Sequence, residues 1–472
     1  MTFADLWAAL PLLIIASGAL AILLCGAFAP GRQGTWIGVA AAIGAALWAL
    51  QAPPQNIAPL LGLAATPFAR FFTVLFSLTA AAALLLSHSY NDRWGIRGEE
   101  YPATVLFALF GMSVLAASVN LLTLFLGLES LTFAFYILTA IDRDRPRSVE
   151  AGMKYLLMGA SAAAFIAFGT ALFYGGTGTL EIASAVQPVT PEGSVNPLVI
   201  AGWGFVLLGM AFKLSLAPAH LWTPDVYQGA PPTVVAFLST GSKAASYAAL
   251  ILLLYPLQHG WSYLHGPLWA LSLLSMAIGN LAALRQHNLR RMLAYSSIAQ
   301  MGYVALAMLT GTAEGFAAVI FYLVAYTAAN LSAFGAVASL SGEGFAAEEI
   351  DGLRGMGRSR PFRGGILALA LLSLAGIPLT AGFMAKFGVF AAAFRGGEIG
   401  LAVIGVGMAA ISVYYYLRVA SILYGRTPET PVSVPRLEKQ EALALAVTGL
   451  AVVFLGVFPD RLLQVIRMLV ER

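Results

Sequence analysis

Apolar residues in this chain fall into long runs that follow one another with only short polar connections between them. Many runs exceed the roughly 18 residues that mark a membrane-span candidate. Length and polarity predict about 14 spans. They lie at 5–29, 35–51, 67–88, 102–119, 121–140, 152–175, 197–222, 232–256, 267–284, 292–311, 314–340, 363–394, 399–424 and 440–459. The division near Asn120 has no real loop. No connection is long enough for a separate domain, and no heptad or short-period repeat appears. The expected fold class is an all-α polytopic membrane protein, a single membrane domain over 1–472.

The polar connections orient the spans. Those after odd-numbered spans carry Arg32, Arg93 and Arg97, then Arg143, Arg145 and Arg147, and then Arg285, Arg290 and Arg291. Arg354, Arg358, Arg360 and Arg363 follow, then Arg426, Arg436 and Lys439. Connections after even-numbered spans carry almost none, Arg395 being the exception. Basic residues concentrate on the cytoplasmic side, so both termini are expected on the opposite side. The tail with Arg461, Arg467 and Arg472 runs against this rule. Two spans contain a proline break, at LAPAH (Pro218) and LAGIPLTAG (Pro378). Each is the fourth of a five-span block, 101–256 and 267–424, flanked by helices over 1–100 and a C-terminal helix over 425–472. Five is odd, so the two blocks have opposite orientation in the membrane. Broken helices in an inverted repeat mark a transport site.

Composition narrows the reading. The chain is 59% hydrophobic and 10% charged, with mean hydropathy +0.82, against about 25% charged in a soluble domain. A net charge of +4 and pI near 9.1 could suggest nucleic acid. The basic residues sit in short loops, where orientation explains them, so the lipid bilayer is the expected partner and nucleic acid is not. The first run, Ala4 to Phe28, is too long for a signal h-region and lacks a basic n-region, so it reads as a retained span. One cysteine, Cys25, allows no disulfide framework within the chain. No Gly-rich loop follows a strand, and no His/Cys/carboxylate cluster has metal-ligand spacing. No cofactor and no metal are expected in this chain, which should move charge without bond chemistry of its own.

The charges left inside the spans then stand out. Of five lysines, Lys154, Lys213, Lys243 and Lys386 fall within apolar spans and only Lys439 in a loop, while nearly all arginine is in loops. Orientation would be served by either residue. An amine can release its proton when desolvated, whereas a guanidinium stays charged. The division therefore suggests sites that load and release protons. Glu129 lies near the middle of the fifth span. A lone carboxylate there would cost several kcal/mol, so it needs a partner, and Lys213 is the first candidate. His220, beside Pro218, has an unperturbed pKa near 6.5 that suits a shuttle. Plainer readings stand beside these. Lys154 could snorkel to the interface. Glu129, Lys213 and Lys243 could form purely structural pairs. Lys386 could cap carbonyls freed by the break, and His220 could simply hydrogen-bond there.

At these residues the chain resembles a known family, the antiporter-like membrane subunits of respiratory complex I. The matching stretches are GLESLTFAFYIL (127–138), GMKYLLMGASAAAF (152–165) and KLSLAPAHLWTPDVYQGAPP (213–232). They continue with SKAASYAAL (242–250), GNLAALRQHNLRRMLAYSSIAQMGY (279–303) and LAGIPLTAGFMAKFGVF (374–390). Lys243 in SKAASY, a lysine at 386 and the lack of a long C-terminal extension point to the N-subunit branch. The resemblance implies 14 helices with two inverted five-helix repeats, a proton half-channel in each, and a polar axis joining them. It implies that Glu129 pairs with and modulates Lys213, that Lys243 connects the halves, and that Lys386 belongs to the second. Lys154 joins the axis by the same comparison, and His220 matches a polar position near the broken helix.

The expected function is proton translocation in the membrane arm of an NADH–quinone oxidoreductase of a bacterial inner membrane, coupled to redox chemistry elsewhere. Other membrane-arm subunits are the expected partners. Two rivals use the same helices. A subunit of a cation/proton antiporter would respond to Na⁺ without NADH. A purely structural membrane-arm subunit would tolerate exchange of the Glu129–Lys213 pair for apolar residues.

Overall fold

A computed structural model describes residues 3–28, 33–51, 62–96, 98–189, 194–257, 261–342, 347–426 and 434–470. Arg32, Arg97 and Arg472 lie outside the described residues. The chain opens with α1 (Phe3–Ala8), α2 (Leu10–Phe28), α3 (Gln33–Gln51) and α4 (Pro67–Arg93). It continues with α5 (Glu100–Ala116), α6 (Leu121–Thr139), α7 (Pro146–Thr177), α8 (Ile182–Ala185), α9 (Pro197–Leu214) and α10 (Trp222–Gly229). A π-helical turn at Leu238–Ser242 joins α11 (Pro232–Phe237) to α12 (Lys243–Leu254) in one pass. Then come α13 (Trp261–Leu284), α14 (Leu289–Leu309), α15 (Ala313–Leu340), α16 (Met356–Ser359) and α17 (Pro361–Ala375). The last helices are α18 (Ala381–Arg395), α19 (Ile399–Leu423), α20 (Lys439–Val457) and α21 (Asp460–Val470). Among the described residues, 12 passes are long and apolar enough to cross a membrane, and the shorter apolar helices α5 and α17 bring the tally to the fourteen that the pattern predicts. Only isolated β-bridges accompany them among those residues.

Polar caps set the helix starts. Thr66 accepts from Ala69 N (3.1 Å), Asn120 from Leu122 N (2.8 Å), Asn288 from Arg291 N (3.0 Å) and Thr312 from Gly315 N (3.0 Å). Each satisfies an N–H that a membrane would otherwise leave bare. Asn120 thus explains why the fourth and fifth spans divide without a loop. Some boundaries differ from the pattern. The helix expected over 152–175 runs from Pro146 to Thr177, because proline is favourable at a first helical position. The span expected from 267 begins at Trp261, with Pro267 inside the helix. The C-terminal region holds two helices, since α21 is amphipathic and its charges end the apolar run.

The span expected over 197–222 stops at Leu214. Ser215 turns left-handed (φ 61°), and Leu216 N closes back on Ala211 O at 2.8 Å. Side chains take the groups this frees. Ser275 Oγ accepts from Ala217 N (2.8 Å), and Trp222 Nε1 donates to Phe212 O (2.9 Å). The second break has the same construction. Gly376 is left-handed (φ 85°), Ile377 N bonds Leu372 O at 3.0 Å, and Ser373 Oγ accepts from Gly382 N at 3.1 Å. Gly376→Ala is expected to cost about 1–2 kcal/mol for the left-handed backbone alone. Its Cβ would also stand 2.9 Å from Lys386 Cδ, displacing that side chain. A lowered melting temperature of the purified complex checks this.

Two corners of the fold repeat in register. Asn120 pairs with Glu181 as Asn288 pairs with Glu349, 288 minus 120 being a displacement of 168 residues. Leu121 N bonds Leu180 O (2.8 Å), and 168 residues on Leu289 N bonds Glu348 O (2.7 Å). A Cβ at Gly111 would meet Leu131 N at 2.5 Å, and one at Gly279 would meet Ala299 N at 2.5 Å, again 168 apart. So α5–α6 and α13–α14 share one close packing, tethered alike to the segment after the next helix. At the centre, nearly all residues in the apolar stretches of the α11–α12 pass, α14 and α15 are buried. Lys243 and Arg290, which these elements carry, are buried in protein, whereas Glu314 at the start of α15 is exposed.

Candidate functional site

The buried charges begin on α6. Leucine runs carry Glu129 and Thr132 to the same face, three residues apart, where α9 brings Lys213. Lys213 Nζ lies 3.1 Å from Glu129 Oε1 and donates to Thr132 Oγ1 at 2.7 Å. Its side chain is 2% exposed and that of Glu129 17%. An amine taken out of water needs a partner charge and further hydrogen bonds, and this one has both. The pairing expected from sequence is therefore present.

Lys243 follows the π-helical turn and is buried. Its Nζ reaches Leu214 O (3.4 Å), the last carbonyl of α9 and the neighbour of Lys213, and lies 5.9 Å from the Tyr227 ring centre. Lys386 repeats the arrangement at the second break. Its Nζ donates to Ala375 O (3.0 Å) and Ser412 Oγ (3.4 Å) and lies 5.4 Å from the Tyr303 ring centre. Each broken helix therefore presents a freed carbonyl to a buried lysine, and no carboxylate lies within ion-pair distance of Lys243 or Lys386 among the described residues. The capping reading of Lys386 describes its geometry.

Neutral groups that sequence reasoning missed fill the space between these two lysines. Tyr227 OH is 3.4 Å from Ser297 Oγ, which is 2.7 Å from Tyr326 OH. Tyr326 lines a cavity of about 10 Å³ with Gln300, Tyr322, Ser373 and Lys386, room for about one water molecule. Gln300 Nε2 donates to Leu374 O and Tyr416 OH, both at 3.0 Å, and Tyr322 OH donates to Gln300 Oε1. A second branch runs from Tyr415 OH to Asn280 Oδ1 (3.1 Å) and from Asn280 Nδ2 to Tyr303 OH (2.9 Å), beneath Lys386. Hydroxyls both donate and accept, so the file can pass a proton without a fixed charge. The 168-residue displacement gives these positions meaning. It carries Glu129 to Ser297 and Thr132 to Gln300. Where the first block has an acid and a hydroxyl holding a lysine, the second has a hydroxyl and an amide holding tyrosines.

Two expected residues stand apart from this file. Lys154 pairs with Glu150 (2.8 Å) and Asp225 (2.9 Å), its side chain 44% exposed. Asp225 also meets Arg291 at 2.7 Å. The cluster borders a cavity of about 270 Å³ with Arg147 and Gln228, next to a larger one of about 780 Å³ under Arg145, Arg290 and Glu348. His220 is buried in the turn between α9 and α10, its Nδ1 without a protein partner. Some arginines read from sequence only as orientation marks are also buried partners. Arg290 pairs with Glu348 and donates to Ala230 O (2.8 Å), and Arg93 pairs with the buried Glu441 at 2.7 Å.

Comparison with known proteins places this arrangement. Residues 118–412 match the family described as NADH:quinone oxidoreductase/Mrp antiporter, TM. The chain is 61% identical over 466 residues to the NADH-quinone oxidoreductase subunit N of Geotalea uraniireducens, covering 99% of each. It superposes on a chain of respiratory complex I from Thermus thermophilus with TM-score 0.83 and 35% identity, covering 96% of this chain and 98% of that one. A chain of the Mrp complex from a Dietzia species has TM-score 0.86 at 20% identity, over 100% of this chain and 97% of that one, a likeness of fold alone. The chain belongs to the NADH:quinone oxidoreductase/Mrp antiporter membrane family, in its branch of antiporter-like complex I N subunits.

Proposed function

We infer that this chain translocates protons as a non-redox, membrane-arm subunit of an NADH–quinone oxidoreductase in a bacterial inner membrane. One observation carries the reading. A buried, acid-paired lysine (Lys213) is followed by two buried lysines resting on carbonyls freed by helix breaks, with a hydroxyl and amide file between those two. Redox cofactors belong to other subunits in this reading, and their energy arrives as an electrostatic change at Glu129. Drawing Glu129 away releases the Lys213 proton toward Lys243. The file through Tyr227, Ser297 and Tyr326 passes it on to Lys386. The matched corners at a 168-residue displacement support two inverted five-helix blocks, 101–256 and 267–424. The basic loops support termini on the non-cytoplasmic side. Membership in a family whose solved members sit in multi-subunit complexes supports neighbouring membrane-arm subunits as partners.

Lys154 and Asp225 take a place at the cytoplasmic mouth of this path, beside the two charged cavities, with His220 in the turn that leads into the Asp225 helix. NADH-driven proton uptake per electron, measured on the assembled complex in vesicles, tests the assignment. Lys154 lies in a half-exposed ion cluster outside the buried file, so Lys154→Met is expected to keep most of the ratio. A loss as complete as that from Lys213→Met would put Lys154 in the buried file. Proton movement driven by Na⁺ without NADH would favour the antiporter reading.

A further inference from the structure

At one end of the bundle, away from the charged cavities, α3, α4, α15 and α21 leave an apolar groove of about 470 Å³. Its long wall is one face of α4, formed by Phe71, Val74, Leu75 and Leu78, with Leu462 and Val465 of α21 opposite. Leu78 is 50% exposed, so the groove opens sideways. From Arg70 to Leu78 the wall rises about 12 Å, eight residues at 1.5 Å each. That carries it from the membrane interface, where an amphipathic α21 lies, toward the apolar middle.

A cation stands at the interfacial end. Arg70 Nε donates to Ala49 O (2.8 Å) and its Nη2 to Leu50 O (3.1 Å), which fixes the guanidinium at the end of α3. Among the described residues no carboxylate lies within ion-pair distance of Arg70. Arg461 is exposed one helical turn before Val465, on the same side of α21. By the orientation proposed above, both arginines lie on the side where the connections otherwise carry almost no basic residues. Orientation therefore does not explain them. α21 itself is pinned in place by Tyr255 OH donating to Val470 O at 3.0 Å.

We propose that this groove is a binding site for an anionic phospholipid, its phosphodiester held by Arg70 and Arg461 and one acyl chain lying along Phe71, Val74, Leu75 and Leu78. Guanidinium groups recognise phosphate oxygens by paired, charge-assisted hydrogen bonds. An apolar wall of bilayer half-depth that opens laterally suits an acyl chain and gives water no partner.

The test is native mass spectrometry of the intact complex, delipidated in detergent and titrated with phosphatidylglycerol or with phosphatidylethanolamine. Wild type is expected to retain one phosphatidylglycerol per copy of this chain, with about tenfold preference over phosphatidylethanolamine, which has the same phosphodiester but an ammonium that the two guanidiniums repel. Arg70→Gln is expected to lower the preference and Arg70→Gln with Arg461→Gln to abolish it, and Val74→Trp, which fills the groove, to abolish retention. Equal retention by wild type and all these variants would mean annular lipid only and overturn the site. Equal retention of the two lipids by wild type would overturn the anionic specificity. Cross-linking of Leu78→Cys to another polypeptide of the complex would show protein in the groove and overturn the lipid. Proton uptake per electron is read separately, so failure here leaves the translocation reading intact, and the reverse.

Discussion

Replacing Lys213 with methionine is expected to abolish proton movement through this chain and to destabilise it. Methionine matches the length of the lysine stem but leaves Glu129 without its charge partner. Removing one member of a buried pair costs about 3–5 kcal/mol. The 17% exposure of the Glu129 side chain places the cost toward the low end. Adding Glu129→Gln should restore most of the lost stability, because the remaining amide is neutral. It should not restore translocation. Melting temperature of the purified complex checks the first statement, and proton uptake per electron the second.

Gln300→Leu is expected to stop translocation by another route, with the complex intact. Gln300 donates to Leu374 O and Tyr416 OH and accepts from Tyr322 OH. Leucine leaves a broken-helix carbonyl and a buried phenol unpartnered, about 1–3 kcal/mol each. It also removes the polar side of the cavity that joins Tyr326 to Lys386. A positioned proton-transfer group contributes about 10²–10⁴ in rate, so transfer should slow by about a hundredfold or more. Lys213 and Glu129 lie outside this network, and their pair should survive. The expected signature is normal assembly and quinone reduction with a reduced proton ratio. Tyr322→Phe, which removes one donor to Gln300, should give a smaller loss.

What the sequence showed and what it hid have the same cause. A charge inside an apolar run is expensive, so Glu129, Lys213, Lys243 and Lys386 were conspicuous, and the prolines marked both breaks. The break residues themselves, Ser215 and Gly376, precede those prolines and carried no such mark. Tyrosine, serine and glutamine cost little inside a span, so Tyr227, Ser297, Gln300, Tyr322 and Tyr326 passed unnoticed. A signal existed. Set 168 residues apart, LGLESLT and AYSSIAQ place Ser297 under Glu129 and Gln300 under Thr132. Few identities support that alignment, and the shared caps and glycine contacts of the fold made it visible. Lys154 was conspicuous for the same reason as the other lysines. Its nearness to a span end left open whether it reached water, and its partner Asp225 lies 71 residues away. The α21 helix escaped because its charges interrupt the hydrophobic pattern that located the spans.

Translocation as proposed requires that buried charges on α6 and α9 carry protons and do not merely fix helix packing. A structural role and a translocating role agree on the single variants, which break a pair, and part company on the double one. Glu129→Leu with Lys213→Met replaces the pair by apolar groups of similar volume, an exchange that is often neutral or stabilising. The most direct measurement is therefore NADH-driven proton uptake per electron by that double variant, in vesicles containing the fully assembled complex. A lower ratio with assembly and quinone reduction preserved is the expected result. A wild-type ratio would contradict a translocating role and leave the pair a structural one.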